Sequence, residues 1–436
     1  MAELPVVFAH GVGGRSDLPV PVWLFAYGAA FALLISFVAL RILWPRPRLS
    51  ALSSGMALPD AVQRVRPVLA VGLRVVGLVF FAVTVAAAAF GSTDGGLNVA
   101  PYAMCVIFWV GVPIASALVG DVFAAANPFD TIAFALRLPD ETVWRDPGLW
   151  PAAVMIFSFT WLELAYYNGC SDPVALSWWL GTYTVATIAG ATLWGRTWLR
   201  TGEGFAALFG LIAHLAPLYR DPETGQLRLR MPLSGLASVQ QRPGTLALVL
   251  VALGSTTFDG FSRTRFWGDI IGQRVGWDRT LVSTFGLLWL VGIVATAWLG
   301  ATRLTARMTG REPTDIANAF LASLIPITLG YAIAHYFSLL VFDGQNFIAL
   351  ASDPFFRGWN LFGTIDNSVN YRLVSTRTIA YVQVAAIVGG HVCGVIAAHD
   401  RAVELFPPRQ AVRSQYPLLA VMILYTVGGL LLLLGG

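Results

Sequence analysis

Of the 436 residues, 56% are hydrophobic and only 12% charged, and the mean hydropathy of +0.68 lies far above that of a soluble globular domain. At roughly 20 apolar residues per crossing, such a chain supplies about ten transmembrane helices and leaves no room for a separate soluble domain of ordinary size. The basic side chains are 28 arginines and no lysine, against 17 aspartates and seven glutamates, which gives a formal charge of +4 and excludes lysine-dependent Schiff-base or P-loop chemistry.

The N-terminal residues 1–20 lack a basic segment ahead of an apolar one, so they are expected to remain as an external tail rather than to be removed as a signal peptide. Apolar runs then predict spans near 21–43, 67–91, 99–124, 148–167, 174–195, 244–261, 280–300, 317–341, 378–399 and 415–435. A shorter apolar stretch, 205–218, carries His214 and reads either as an eleventh crossing or as an interfacial helix. With ten spans, 18 arginines fall in the loops of one side and eight in those of the other, whereas an eleventh crossing gives 15 against 11. The positive-inside rule therefore favours ten spans in the plasma membrane, with both termini outside and segment 196–243 in the cytoplasm. The arginines beside these spans set topology and meet anionic headgroups, so the bilayer is the expected polyanionic partner and nucleic acid is not. A homo-oligomer or a membrane-complex partner is left open.

The segment 342–377 is longer than a connection requires and mixes aromatics with turn formers, which predicts an ordered external lid over the bundle. The four arginines in 262–279 fit the positive-inside rule poorly, and Asp259, Asp269 and Asp278 are candidate partners for them. The cysteines stand alone at 105, 170 and 393, so no CxxC site exists, and their spacing leaves one pairing open.

Ionisable residues within spans cost at least ~2.5–3.5 kcal/mol each and are tolerated where they face a partner or a cavity. An outer set comprises Glu163, Asp259, His335 and the tail residue His10, and an inner set comprises Asp121, Asp130, Glu203, His214 and His399–Asp400. His391 lies between them, about 18 Å along its helix from Ile379, in the run Gly389–Gly390–His391 with Cys393 and Gly394 beyond. Those glycines serve either tight helix packing or the approach of a bound group. His214 reads as an interfacial side chain and His399–Asp400 as a helix-end cap.

Neutral imidazoles with carboxylate oxygens suit a divalent transition metal, zinc first and iron or copper after it. The expected ligands are His10, His335 and His391, and Glu163 and Asp259 are the expected catalytic carboxylates, as further ligand or general base to a water of lowered pKa. No HExxH or similar local spacing supports this set.

The tail Pro5 to Gly14 resembles the strand and HG loop of the α/β-hydrolase oxyanion hole, but that fold also needs a G-x-S-x-G elbow, which the chain lacks. A broader resemblance rests on Ala9-His10-Gly11 with Gly13-Gly14-Arg15, Gly120-Asp121-Val122 with Asn127-Pro128, and Gly202-Glu203. It continues through Phe258-Asp259-Gly260, Ala334-His335-Tyr336-Phe337 with Gly344-Gln345, and Gly390-His391-Val392 with Ala398-His399-Asp400. Together these stretches resemble the polytopic actinobacterial membrane proteins labelled fenitrothion hydrolase, which implies a membrane-bound hydrolase of an apolar phosphotriester and singles out His10, Asp259, His335 and His391. The sequence thus predicts an all-α polytopic bundle with an outward polar cavity and hydrolytic chemistry. The alternatives are a proton- or metal-coupled transporter that relays through Glu163, His335, His391 and Asp121, or an accessory subunit of a membrane complex.

Overall fold

The computed structural model describes residues 21–143 and 145–434; His10 and the rest of the tail lie outside them. Eleven principal helices organise the chain. They are α1 (Val22–Leu43), α2 (Asp60–Phe90), α3 (Val99–Val119), α4 (Trp150–Leu164), α5 (Pro173–Trp194), α6 (Gly204–Ala213), α7 (Thr245–Ser262), α8 (Gly276–Thr309), α9 (Leu324–Leu350), α10 (Thr376–Leu405) and α11 (Tyr416–Leu434). Among the described residues eight helical stretches are long and apolar enough to cross a membrane: α1, α2, α3, α7, α8, α10, and α9 and α11 with the short helices that lead into them. The 15-residue α4 falls short in length, and α5, with 22 residues, carries serine, threonine and tyrosine along its run.

Position in the bundle follows from how much of each helix the others cover. In α7 and α9 67% of the most apolar stretch is buried within the protein, whereas in α2 only 6% is, so α7 and α9 form the centre and α2 faces outward. A helix apolar on every side belongs inside, and α6 is the clearest instance. Its ten residues rise only about 15 Å, too little to cross a ~30 Å hydrocarbon core. Phe205 and Phe209 are fully buried, and their rings meet Phe108 and Trp109 of α3, and Phe205 also that of Phe159 of α4. Segment 205–218 is thus neither an eleventh crossing nor a surface helix. Glu203 starts α6 by accepting the N–H groups of Phe205 and Ala206 at 3.1 and 2.8 Å, which satisfies two of the donors that every helix start leaves unpaired.

Several boundaries differ from the expected ones for a common reason: helices continue beyond their apolar stretch. The helix expected over 280–300 spans Gly276–Thr309, and the one expected to begin at 67 begins at Asp60, in the favourable first-turn position for an acid, and runs through Pro67. The expected lid shrinks, because α9 continues to Leu350 and leaves 351–375 as the non-helical connection. That connection is ordered by Asp353, which accepts the N–H groups of Arg357 and Gly358 at 2.8 and 2.7 Å, and by a Ser352–Thr364 hydroxyl pair at 2.6 Å.

The bundle is all-α as expected, apart from one small three-stranded antiparallel sheet: β1 (Met56–Ala57), β2 (Leu218–Arg220) and β3 (Leu227–Leu229), in the order β1-β3-β2. The β2–β3 hairpin closes because Asp221 accepts the N–H groups of Glu223 and Thr224 and Gly225 takes the left-handed conformation at φ +68°.

Cys105 of α3 and Cys170, between α4 and α5, form a disulfide that encloses 65 residues of sequence separation. Breaking it by Cys105→Ser with Cys170→Ser is expected to lower unfolding stability by roughly 2–4 kcal/mol. The check is the denaturation midpoint in detergent beside a gel mobility shift on reduction. Two readily alkylated thiols in the untreated folded protein would contradict the pairing.

Candidate functional site

The central helices carry the outer set of ionisable residues, and the structure brings three of them together. Asp259 and Arg263 occupy successive turns at the end of α7, and the guanidinium places Nε at 3.2 Å and Nη2 at 2.8 Å from Asp259 Oδ1. The other carboxylate oxygen, Oδ2, faces His335 Nδ1 of α9 at 3.8 Å. Both Asp259 and His335 are buried, 4% and 6% exposed, whereas the Arg263 side chain keeps 27% of its surface. The ring of His335 lies over α7 at Gly260, where an added Cβ would stand 3.1 Å from its Cε1 and Nε2. Only glycine leaves that approach unobstructed.

Glu163, one residue before the end of α4, stands beside the cluster near Tyr336. Asp259 and Arg263 both act on Glu163 electrostatically. Its Oε2 is enclosed and has no hydrogen-bond partner among the described residues.

His391 is reached from His335 through an aromatic pair. Tyr331, one turn before His335 on α9, lies 5.8 Å ring to ring from His391 of α10 and 4.8 Å from Tyr425 of α11. Its hydroxyl donates to the Tyr425 carbonyl at 2.6 Å, and the Tyr425 hydroxyl meets the Leu253 carbonyl at 3.2 Å and the Thr257 hydroxyl. His391 is completely buried, and its Nδ1 lies 2.8 Å from the Ile387 carbonyl. A carbonyl only accepts, so Nδ1 carries the proton and Nε2 the lone pair. That Nε2 is enclosed and has no partner among the described residues, an arrangement that ordinarily costs about 1–3 kcal/mol and calls for an explanation.

Between α7, α9 and α11 lies a cavity of about 100 Å³, walled by Thr257, Gly260, Tyr331, His335, Tyr425 and Gly429. Leu424, which also lines it, is 71% exposed on α11, so the cavity lies close to the apolar outer surface of the bundle.

The expected three-histidine set is not assembled within these residues. His10 lies outside them, and among the described residues no group of three or more histidine, cysteine, aspartate or glutamate side chains stands ready to hold a metal ion. Of the two roles expected for the glycines beside His391, helix contact is the one the structure shows, for two of them. An added Cβ at Gly390 would lie 2.7 Å from the Pro326 carbonyl oxygen, and one at Gly394 2.7 Å from that of Ser323, so both serve helix contact; at Gly389 nothing stands within 4 Å.

The inner residues are occupied structurally. Asp121 caps the short helix Val122–Ala126 through Ala124 N–H at 2.9 Å, and Glu203 also accepts from the Tyr183 hydroxyl. His214 closes α6, partly buried, with Nδ1 at 2.9 Å from the Gly210 carbonyl. His399 and Asp400 are not a cap of their own helix, which continues to Leu405. Asp400 instead accepts from Trp44 Nε1 at 2.8 Å and from the Arg48 and Leu49 N–H groups at 2.7 and 3.3 Å, and so starts the helix Leu49–Ser53.

Tyr331, Tyr336, Tyr425 and Arg263 are the site residues beyond the expected set. The spacing of Asp259 to Arg263, and of Tyr331 to His335, is four residues in both cases, the helical-neighbour signal by which two of them are detectable. Comparison with family models, with curated proteins and with solved structures gives no match to this chain.

Proposed function

We propose that the protein is a membrane-embedded hydrolase of apolar esters, phosphotriesters foremost. The observation that carries this reading is His335, with Asp259 behind it at 3.8 Å, in the wall of a cavity beside the apolar outer face of α11. At about 100 Å³ the cavity admits a phosphoryl group and a few waters, so the apolar body of an ester would rest outside the mouth, in lipid.

Asp259, held by Arg263, keeps negative charge beside the imidazole of His335. Glu163, the carboxylate with an unengaged oxygen, takes the proton of the attacking water. His391 turns Nδ1 onto a backbone carbonyl, the outer-shell pattern of a histidine that ligates through Nε2, whereas Nδ1 of His335 faces Asp259 at the longer distance of 3.8 Å. The unengaged Nε2 of His391 is what supports a divalent transition metal, zinc before iron or copper, as part of this reading, with His335, His391 and His10 as the residues that would hold it; among the described residues alone no three such side chains stand together. Such a metal would supply Lewis acidity to the phosphoryl oxygen. A transport relay finds less support, because Asp121, its inner member, is engaged as a helix cap.

The same reading has ten crossings of the plasma membrane, with α4 and α5 as the two beyond the eight apolar helices and both termini outside. The Cys105–Cys170 disulfide supports it, since that topology puts the α4–α5 connection on the oxidising side.

Elemental analysis of detergent-purified protein tests the proposal. About one transition-metal ion per chain, lost in His335→Ala/His391→Ala together with hydrolysis of a chromogenic phosphotriester, is the expected result. Folded wild type that is free of metal and inert toward the ester would refute it.

A further inference from the structure

Away from the central cavity, arginines converge where α2, the α5–α6 connection and the small sheet meet. Arg74 of α2, Arg196 and Arg200 approach the carboxylate of Asp130 at 3.1, 3.0 and 3.4 Å. Asp130 is buried at 3% exposure, whereas the side chains of Arg74 and Arg200 keep 37% and 50% of their surface. Arg196 has a second acid in Asp140, at 3.2 Å. Two arginines add to the excess. Arg66 and Arg220 both donate to the Gly225 carbonyl, and neither forms an ion pair with an acid among the described residues. Burial first, then the charges of Arg66 and Arg200, hold the Arg220 guanidinium below its usual proton affinity. The cluster is thus cationic, partly accessible and self-repelling, and an added anion would relieve it.

The surface beside it decides what kind of anion. α2 is 31 residues long, about 46 Å at 1.5 Å per residue, so its first turns stand outside a ~30 Å core. Arg74 lies about 24 Å from the far end at Phe90, at headgroup depth for a long side chain. On the flank of α2 that carries Arg66, Leu69 and Leu73, three and seven residues on, are 59% and 41% exposed. A soluble polyanion leaves that apolar face uncovered, whereas acyl chains cover it.

We propose that Arg66, Arg74, Arg200 and Arg220 form a binding site for the phosphate of an anionic phospholipid, whose chains lie along the exposed face of α2. This site is independent of the hydrolase reading. Basic pockets at the ends of transmembrane helices recognise such headgroups by charge-assisted hydrogen bonds.

Native mass spectrometry of the full chain, released from mixed micelles of phosphatidylglycerol and phosphatidylcholine, tests it. Wild type should retain phosphatidylglycerol preferentially, and Arg66→Gln and Arg220→Gln should each reduce that preference by about fivefold. Both substitutions leave the Asp130 ion pairs in place, and Arg274→Gln/Arg279→Gln, in a different loop, should leave the preference unchanged. An unchanged preference in both single variants would overturn the proposal. Loss of bound phosphatidylglycerol to millimolar inorganic phosphate would also overturn it, because the site would then be one for free phosphate.

Discussion

Replacing Asp259 with alanine is expected to destabilise the folded protein by about 3–5 kcal/mol, because it leaves a guanidinium partly buried with its carboxylate removed. Arg263 presents two nitrogens to one oxygen of Asp259, and His335 stands on the other side of the same carboxylate. Truncation therefore removes the anion from between two basic groups, and no backbone change accompanies it. The companion variant Asp259→Ala/Arg263→Met removes both charges and should recover a large part of the loss, since replacing both partners of a buried pair by apolar groups is often near neutral. Denaturant titration in detergent of wild type, the single variants and the double variant supplies the cycle. A single variant within 1 kcal/mol of wild type, on the order of an exposed pair, would mean that the Asp259 cluster is solvated rather than part of the core.

The second large effect is expected at the crossing of α9 and α10, the most extensive helix pairing of the bundle. An added Cβ at Gly330 would stand 2.5 Å from the Ala386 carbonyl oxygen, and one at Gly390 2.7 Å from that of Pro326; each would lie 3.2 Å from the other glycine's Cα. The obstacles are backbone atoms, which no rotamer change moves aside. Gly390→Leu should therefore force the two helices apart and cost more than about 4 kcal/mol, at the extreme of single-substitution effects. Loss of the monodisperse peak in size exclusion, at normal membrane expression, is the expected readout. Gly389→Leu, one residue earlier with nothing within 4 Å, should behave as wild type. Equal behaviour of the two variants would contradict this packing. Because His391 follows Gly390 directly, the same contact determines how near His391 stands to Tyr331.

How much of this was legible in the sequence depends on the range of the interaction concerned. Long apolar runs announced the spanning helices, since hydrocarbon-length burial is written in consecutive residues. Their ends were less legible. Arg303 and Arg307 close the apolar run of α8 yet continue the helix, because arginine is a good helix former outside lipid. The β1–β3 pairing joins Met56 to Leu229, and no local pattern records such a partner. Scarcity of ionisable residues made Glu163, Asp259 and His335 legible as a set. It did not reveal Tyr331 and Tyr425, since tyrosine is unremarkable in a membrane chain and what these two do depends on three helices meeting. His399 and Asp400 misled for the complementary reason: a polar pair near the end of an apolar run resembles a local cap, while its partner Trp44 is 356 residues from Asp400.

On the proposed function, the exposed position of Leu424 beside the cavity bears on how a substrate would be met in time. A molecule that enters from among acyl chains arrives by two-dimensional diffusion, and its occupancy follows its mole fraction in the membrane rather than its concentration in water. Inert lipid then acts as a diluent, and the partition coefficient of the substrate becomes part of its apparent affinity. Discrimination among esters would begin in the bilayer, before any side chain of the site is reached.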